Sequence, residues 1–237
     1  YPGRIDLGLG RAPGTDQMTA RALRRDLLGS DDRFPQDVRE LQHYFGPIQE
    51  GQVVKAIPGA NTEVPIWILG SSLYGAQLAA HFGLPYAFAS HFAPRYLHQA
   101  LAMYRSLFQP SATLSKPYVM VGVPLVAAET DEEAELLASS IYQRVLGILT
   151  GKRGALPPPV PGYLAQLPAD ARAAIADFLG EAVIGGPDTV RQGLQAMAAA
   201  TQADELMLVC DIYDPALRLR SLDIAAQAIR DTQAVAV

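Results

Sequence analysis

The sequence predicts an α/β protein built on parallel strands, and three observations carry that prediction. Short apolar runs alternate with longer segments of helical period, and regular βα alternation makes the strands parallel with helices as crossovers. One stretch, residues 65–90, contains a whole strand–turn–helix–turn–strand unit. The chain of 237 residues, 49% hydrophobic and 18% charged, is long enough to bury the core of one barrel or of two smaller domains.

Taken in order, Arg4 to Gly10 reads as a short strand entered from a Pro2-Gly3 turn and left through the loop Arg11 to Asp16. Its glycines do not make a dinucleotide fingerprint, because Pro13 stands where the third glycine belongs and no helix begins there. Thr19 to Leu28 and Pro35 to Phe45 are expected helices. In the second, Val38, Leu41, Gln42 and Phe45 share a face, and Pro35 suits a first helical position. Gly51 to Glu63, with Val53, Val54 and Ile57 before a Pro-Gly turn, reads as a short β-hairpin or excursion.

Ile66 to Leu69 is an apolar run of the kind buried on both faces of a parallel sheet. Gly70-Ser71-Ser72 forms a tight polar turn. A helix follows with Ala76, Ala79 and Ala80 as a slim packing face and Gly83 at its C-terminal end, and Tyr86 to Ala89 is the next strand. The chain continues with a helix from about Pro94 to Phe108 and a strand from Tyr118 to Ala128, in which Pro124 marks an end or a bulge. Thr130-Asp131-Glu132-Glu133 is a capping box for a helix running to about Leu149. The proline-rich stretch Gly151 to Pro168 interrupts the pattern as an exposed loop and a candidate mobile lid. Helices over Ala169 to Leu179 and up to Thr201 follow, the second started by Gly185-Gly186-Pro187-Asp188-Thr189. Glu205 to Cys210 is the last strand, and Asp214-Pro215 opens the final helix, Ala216 to Arg230.

Five strands are thus named. A barrel of eight needs three more units, of roughly 30 residues each, which are expected to precede Tyr1; five strands also suffice for an open sheet of flavodoxin type. Periodicity leaves both open.

A net charge of −5 with scattered Lys and Arg argues against a nucleic-acid surface. No apolar run approaches the roughly 20 residues of a membrane span, and no secretory signal opens the sequence. The one cysteine, Cys210, sits in an apolar run and reads as a buried structural thiol. The expected location is the cytoplasm. No His, Cys, Asp or Glu set has metal-ligand spacing.

The chemistry with most support is anion binding. Free backbone N–H groups at the start of the helix after Gly70-Ser71-Ser72, with two hydroxyls beside them, form a cradle for phosphate; the competing role of that serine turn is simple N-capping. His91, after the Tyr86 strand, and Asp211, after the last strand, lie at strand C-termini and are candidate pocket residues. A polar rim is the competing role for His91, and helix capping for Asp211. His43, His81 and His98 sit on expected helices as structural or solvent-facing residues.

Three segments together resemble the bacterial luciferase-like, flavin-dependent monooxygenases. Residues 1–16 resemble the fourth barrel strand and its loop. Gly70-Ser71-Ser72, with residues 79–86, resembles the fifth strand, its helix and the start of the sixth. Residues 184–190 resemble the segment before the penultimate helix. This resemblance covers nearly the whole chain and implies a (β/α)8 TIM barrel lacking about its first three βα units, residues 1–237 forming a single domain with 151–168 as lid.

It further implies reduced FMN at the strand C-termini, its phosphate held by Arg11, Gly70, Ser71 and Ser72 with the N–H groups of Leu73 and Tyr74. An ion pair with Asp16 is the competing role for Arg11. Catalytic residues are not assigned, since the absent strands would carry the catalytic histidine of luciferases. The implied activity is a monooxygenase that uses O2 to oxygenate a small organic substrate, supplied with reduced FMN by an NAD(P)H:flavin reductase, as a homodimer. The alternatives are a deazaflavin-dependent oxidoreductase of the same superfamily and a non-catalytic flavin-binding protein. A chain that began at Tyr1 is expected to have weak activity or none.

Overall fold

The computed structural model describes residues 1, 3–11, 17–22, 30–152 and 154–235. The chain divides into two compact units, Tyr1–Phe88 with Gln99–Val119, and Ala89–His98 with Met120–Val237.

The first unit carries three parallel strands in sequence order: β1 (Leu7–Leu9), β2 (Ile66–Gly70) and β3 (Tyr86–Phe88). Between β1 and β2 run α1 (Gln17–Ala22) and α2 (Ser30–Phe45). The rest of the helix expected to Leu28, and the loop residues Ala12 to Asp16, lie outside the described residues. The expected start of the second helix at Pro35 is corrected: α2 begins at Ser30 and carries Pro35 inside it. Since Pro35 has no N–H, this placement leaves one ladder bond unmade just past the first turn. The expected face is present, with Val38 buried and Leu41, Gln42 and Phe45 half-buried.

The expected hairpin over Gly51–Glu63 does not form. Val53, Val54 and Ile57 are exposed and have no strand partner, so their apolar side chains have no sheet face to bury. Turns replace it, tied back to the end of α2 by Asn61 N–H to Gly46 O (3.0 Å) and Glu63 N–H to Phe45 O (3.0 Å), with Asn61 Oδ1 accepting from Ile48 N–H (3.0 Å).

Helix α3 (Leu73–Phe82) joins β2 to β3 and buries Gly75, Ala76, Leu78, Ala79 and Ala80. It ends at Gly83, in the left-handed region (φ 60°), with its N–H on Ala80 O; a Cβ there would lie 2.4 Å from Gln109 O. Only glycine meets both requirements. A short 3-10 turn at Pro94–Tyr96 precedes α4 (Leu97–Leu107). From α4 the buried Tyr104 hydroxyl donates to Leu84 O (2.8 Å) and accepts from Tyr118 N–H (3.2 Å), and so pins the chain ahead of β3.

The second unit is organised on β4 (Val119–Ala127), nearly all of it buried. Met120 to Leu125 pair in parallel with β6 (Glu205–Cys210), and Leu125 to Ala127 pair with β5 (Val183–Gly185). Strand β5 is a correction, because sequence reading took Gly185-Gly186-Pro187 as a helix start alone. Three residues are too few to show a strand period, and the flanking Gly and Pro read as punctuation. Pro124 neither ends β4 nor bulges it; it lies in register with Val209. Helix α5 (Asp131–Leu149) has its capping box: Thr130 Oγ1 accepts from Glu133 N–H (3.1 Å), and Glu133 reaches back to Glu129 N–H (3.2 Å).

Helices α6 (Ala169–Phe178), α7 (Pro187–Thr201) and α8 (Pro215–Val235) complete the unit, and Asp214 Oδ1 caps α8 on Ala216 N–H (2.8 Å) and Leu217 N–H (3.0 Å). Cys210 is buried against Ser221, its thiol pushed up by that burial, as suits a structural role. Among the described residues no helix is long and apolar enough to cross a membrane.

Candidate functional site

The site expected at the first strand ends is assembled within the first unit. Strands β1 and β2 pair Leu9 with Ile68, so Arg11 and Gly70, each two residues further on, leave the sheet at the same end. There the Arg11 guanidinium carbon lies 4.2 Å from the centroid of the Tyr74 ring, a cation–π contact that holds an exposed arginine beside the first turn of α3.

The helix start itself is open. Ser72 is the N-cap, in extended backbone (φ −138°, ψ 168°), and its hydroxyl makes no capping bond. The first turn of α3 carries no acidic residue, and Ser72 is exposed. Backbone N–H groups, the positive end of the helix dipole and an arginine thus share one place, and among the described residues no side chain caps it.

Two glycines and a tyrosine build this start. A Cβ on Gly70 would sit 3.6 Å from Gly75 Cα and 3.7 Å from the Tyr86 hydroxyl, while one on Gly75 would sit 3.4 Å from the Tyr86 ring. The end of β2 and the beginning of α3 therefore pack directly on each other, with Tyr86 as their floor. The buried Tyr86 hydroxyl donates to Ser72 O (3.3 Å), and desolvation pushes its pKa far up, so it remains a proton donor. Sequence reading assigned Tyr86 only to a strand; the spacing of Gly70 and Gly75 was the signal that a large side chain lies beneath the turn.

His91 and Asp211 belong to the second unit, where they meet a residue that sequence reading missed. Arg144, on α5, forms an ion pair with Asp211 (2.9 Å), which has this role in place of helix capping; the capping carboxylate is Asp214. His91 is half-buried, and its Nδ1 is buried without a partner among the described residues. Burial pulls its pKa below the ordinary 6.5, with Asp211 opposing and Arg144 reinforcing, so the imidazole is neutral at neutral pH. Nothing in the local pattern around Arg144 marks it out, since a solvated helix face also presents an arginine. His98 faces Glu181 (3.8 Å) from an exposed position.

The segment 151–168 is fastened to α5. Gln143 Nε2 donates to Pro158 O (2.9 Å), and Val160 N–H donates to the buried Ser139 hydroxyl (2.7 Å).

A family profile described as luciferase-like monooxygenase matches residues 1–205. A luciferase-like monooxygenase of Escherichia coli (strain K12) is 47% identical over 225 residues, covering 95% of this chain and 67% of its own length. The crystal structure of apo-MsnO8 superposes with a TM-score of 0.81 at 33% identity, covering 97% of this chain and 70% of that one. The oxygenating constituent of 3,6-diketocamphane monooxygenase from Pseudomonas putida, solved in complex with FMN, has the same fold at a TM-score of 0.60 and 18% identity, covering 94% of this chain and 69% of that one. The chain thus spans about two thirds of the length of the E. coli relative. It belongs to the luciferase-like monooxygenase family, and its α/β fold is of the luciferase-like TIM-barrel type, which excludes the open flavodoxin sheet.

Proposed function

We propose that this member of the luciferase-like monooxygenases binds reduced FMN, with the flavin phosphate at the N-terminus of α3, and uses O2 to oxygenate a small organic substrate. The observation that carries the reading is the uncapped helix start of Ser72, with Arg11 held over Tyr74 beside it. A phosphate there would take the two-pronged guanidinium of Arg11, the hydroxyls of Ser71 and Ser72, and the N–H groups of Leu73 and Tyr74. Gly70 permits the close turn, and Tyr86 keeps the Ser72 carbonyl turned away from the anion. When bound, the flavin supplies the electrons that activate O2.

His91 and Asp211 are proposed to line the substrate pocket. A neutral His91 offers a hydrogen-bonding edge without charge, and Arg144 fixes the Asp211 carboxylate. Residues 151–168, fastened to α5, are proposed as the shield that keeps water from the reacting centre. A separate NAD(P)H:flavin reductase delivers the reduced cofactor, and the protein works as a cytoplasmic homodimer.

The test is a titration with FMN and with riboflavin, which lacks the phosphate. FMN is expected to bind about tenfold tighter or better, and Arg11→Ala or Ser72→Ala to erase most of that difference without unfolding the protein. Equal binding of the two flavins by the wild-type chain would sink the reading.

A further inference from the structure

The second unit contains a cavity of about 310 Å³ at the C-terminal end of α5 that the flavin reading does not use. Its lining separates by chemistry. Arg144, Lys152 and Gln143 form one side, and Phe92, Ile148, Ala155 and Pro157 form the other. No carboxylate lines it.

Gly147 sets the floor. A Cβ there would lie 2.7 Å from Lys152 O, so the helix and the chain that leaves it close on each other only because this residue is glycine. Gln143 is occupied with Ser139 O (3.1 Å) and Pro158 O (2.9 Å), which fixes the Pro157 wall relative to α5.

The two cations are under-used. Arg144 spends one terminal nitrogen on Asp211 (2.9 Å), its Nε has no partner, and its side chain is 36% exposed. Lys152 is exposed. Counting Arg144 and Lys152 against Asp211 leaves one positive charge, which matches a monoanion.

We propose that this cavity binds a small organic monocarboxylate, with the carboxylate on the Arg144 and Lys152 side and a short apolar body against Phe92, Ile148, Ala155 and Pro157. A guanidinium already oriented by Asp211 loses little freedom on engaging a second carboxylate, and a cleft of this volume suits a ligand of modest size. The site stands on residues of the second unit and is independent of flavin binding.

The experiment is an NMR titration of the 15N-labelled chain with hexanoate and, separately, with 1-hexanol. Hexanoate is expected to saturate with a Kd of about 1 mM or tighter, to shift the amides of Arg144, Gly147, Ile148 and Gly154, and to bind at least about tenfold tighter than hexanol. Lys152→Gln, a change at an exposed position, should weaken hexanoate about tenfold, and Lys152→Arg should keep it. Asp211→Asn should tighten hexanoate, because it frees the guanidinium and raises the local charge. Equal affinity for hexanoate and hexanol, unchanged binding by Lys152→Gln, or shifts confined to residues away from the cavity would overturn the proposal.

Discussion

Helices α3 and α7 start alike and finish as opposites. Each follows a short strand and a turn of small residues, and each has an N-cap whose own side chain makes no capping bond. At α7 the gap is filled from elsewhere in the chain. Asp131, at the head of α5, accepts from Gly186 N–H (2.6 Å) through one oxygen and from the Thr189 hydroxyl (3.2 Å) through the other. Asp188 in the first turn of α7 adds a second acid. At α3 the first turn has no acid and Ser72 leaves its hydroxyl unused, while an arginine stands over Tyr74. A helix start that holds its own carboxylate is finished as structure. One that holds a cation and no carboxylate is set to receive an anion from outside.

The largest effect expected from breaking this contrast is at the floor of the open start. Tyr86→Ala removes a fully buried ring beneath Gly70 and Gly75 and should cost about 3–5 kcal/mol, read as a lowered urea midpoint. Unaltered stability would mean that the ring does not support the turn. Next comes Arg11→Ala. Because the residue is exposed, stability should hold while FMN affinity falls about 10- to 100-fold, the range of a charge-assisted bond.

The most direct comparison uses one deletion at two helix starts. Thr130→Ala removes a working cap from α5 and should cost about 1 kcal/mol of stability. Ser72→Ala removes an idle one and should leave the melting temperature in place while weakening FMN several-fold. If both lowered stability equally, the Ser72 hydroxyl would be an ordinary cap.

The smallest expected effect concerns the sealed start. Gly186 N–H, then Thr189, hold the Asp131 carboxyl below its ordinary 3.8. A carboxylate with a depressed folded pKa adds stability that is present above its unfolded value and lost as pH falls through the folded one. Asp131→Asn should therefore flatten the loss of stability on acidification from about pH 4 downward, as followed by thermal melts, and should leave FMN affinity untouched.

Much of this was legible from the chain. The alternation of apolar runs and helical segments located β1, β2, β3, β4 and β6, because buried parallel strands must be apolar and their crossovers amphipathic. Local chemistry located the Thr130 box, the Gly83 stop and the Asp214 cap, since each is settled within a few residues. Strand β5 was hidden because three residues carry no period. The start of α2 was hidden because the proline preference for a first turn says nothing about a helix that continues through it. The false hairpin arose because β-branched residues near a Pro-Gly turn look alike whether or not a sheet face exists to bury them.

By itself the sequence determined the fold class, the family and the place of the serine turn, all of which follow from residue order and nearest-neighbour stereochemistry. Tertiary structure decided how the two helix starts differ and where Arg144 lies. Asp131 reaches α7 from 55 residues away, Tyr86 lies 14 residues beyond the carbonyl it holds, and Arg144 meets Asp211 across a whole helix and strand. Such partners are set by packing in space, and no pattern along the chain encodes the distance between them.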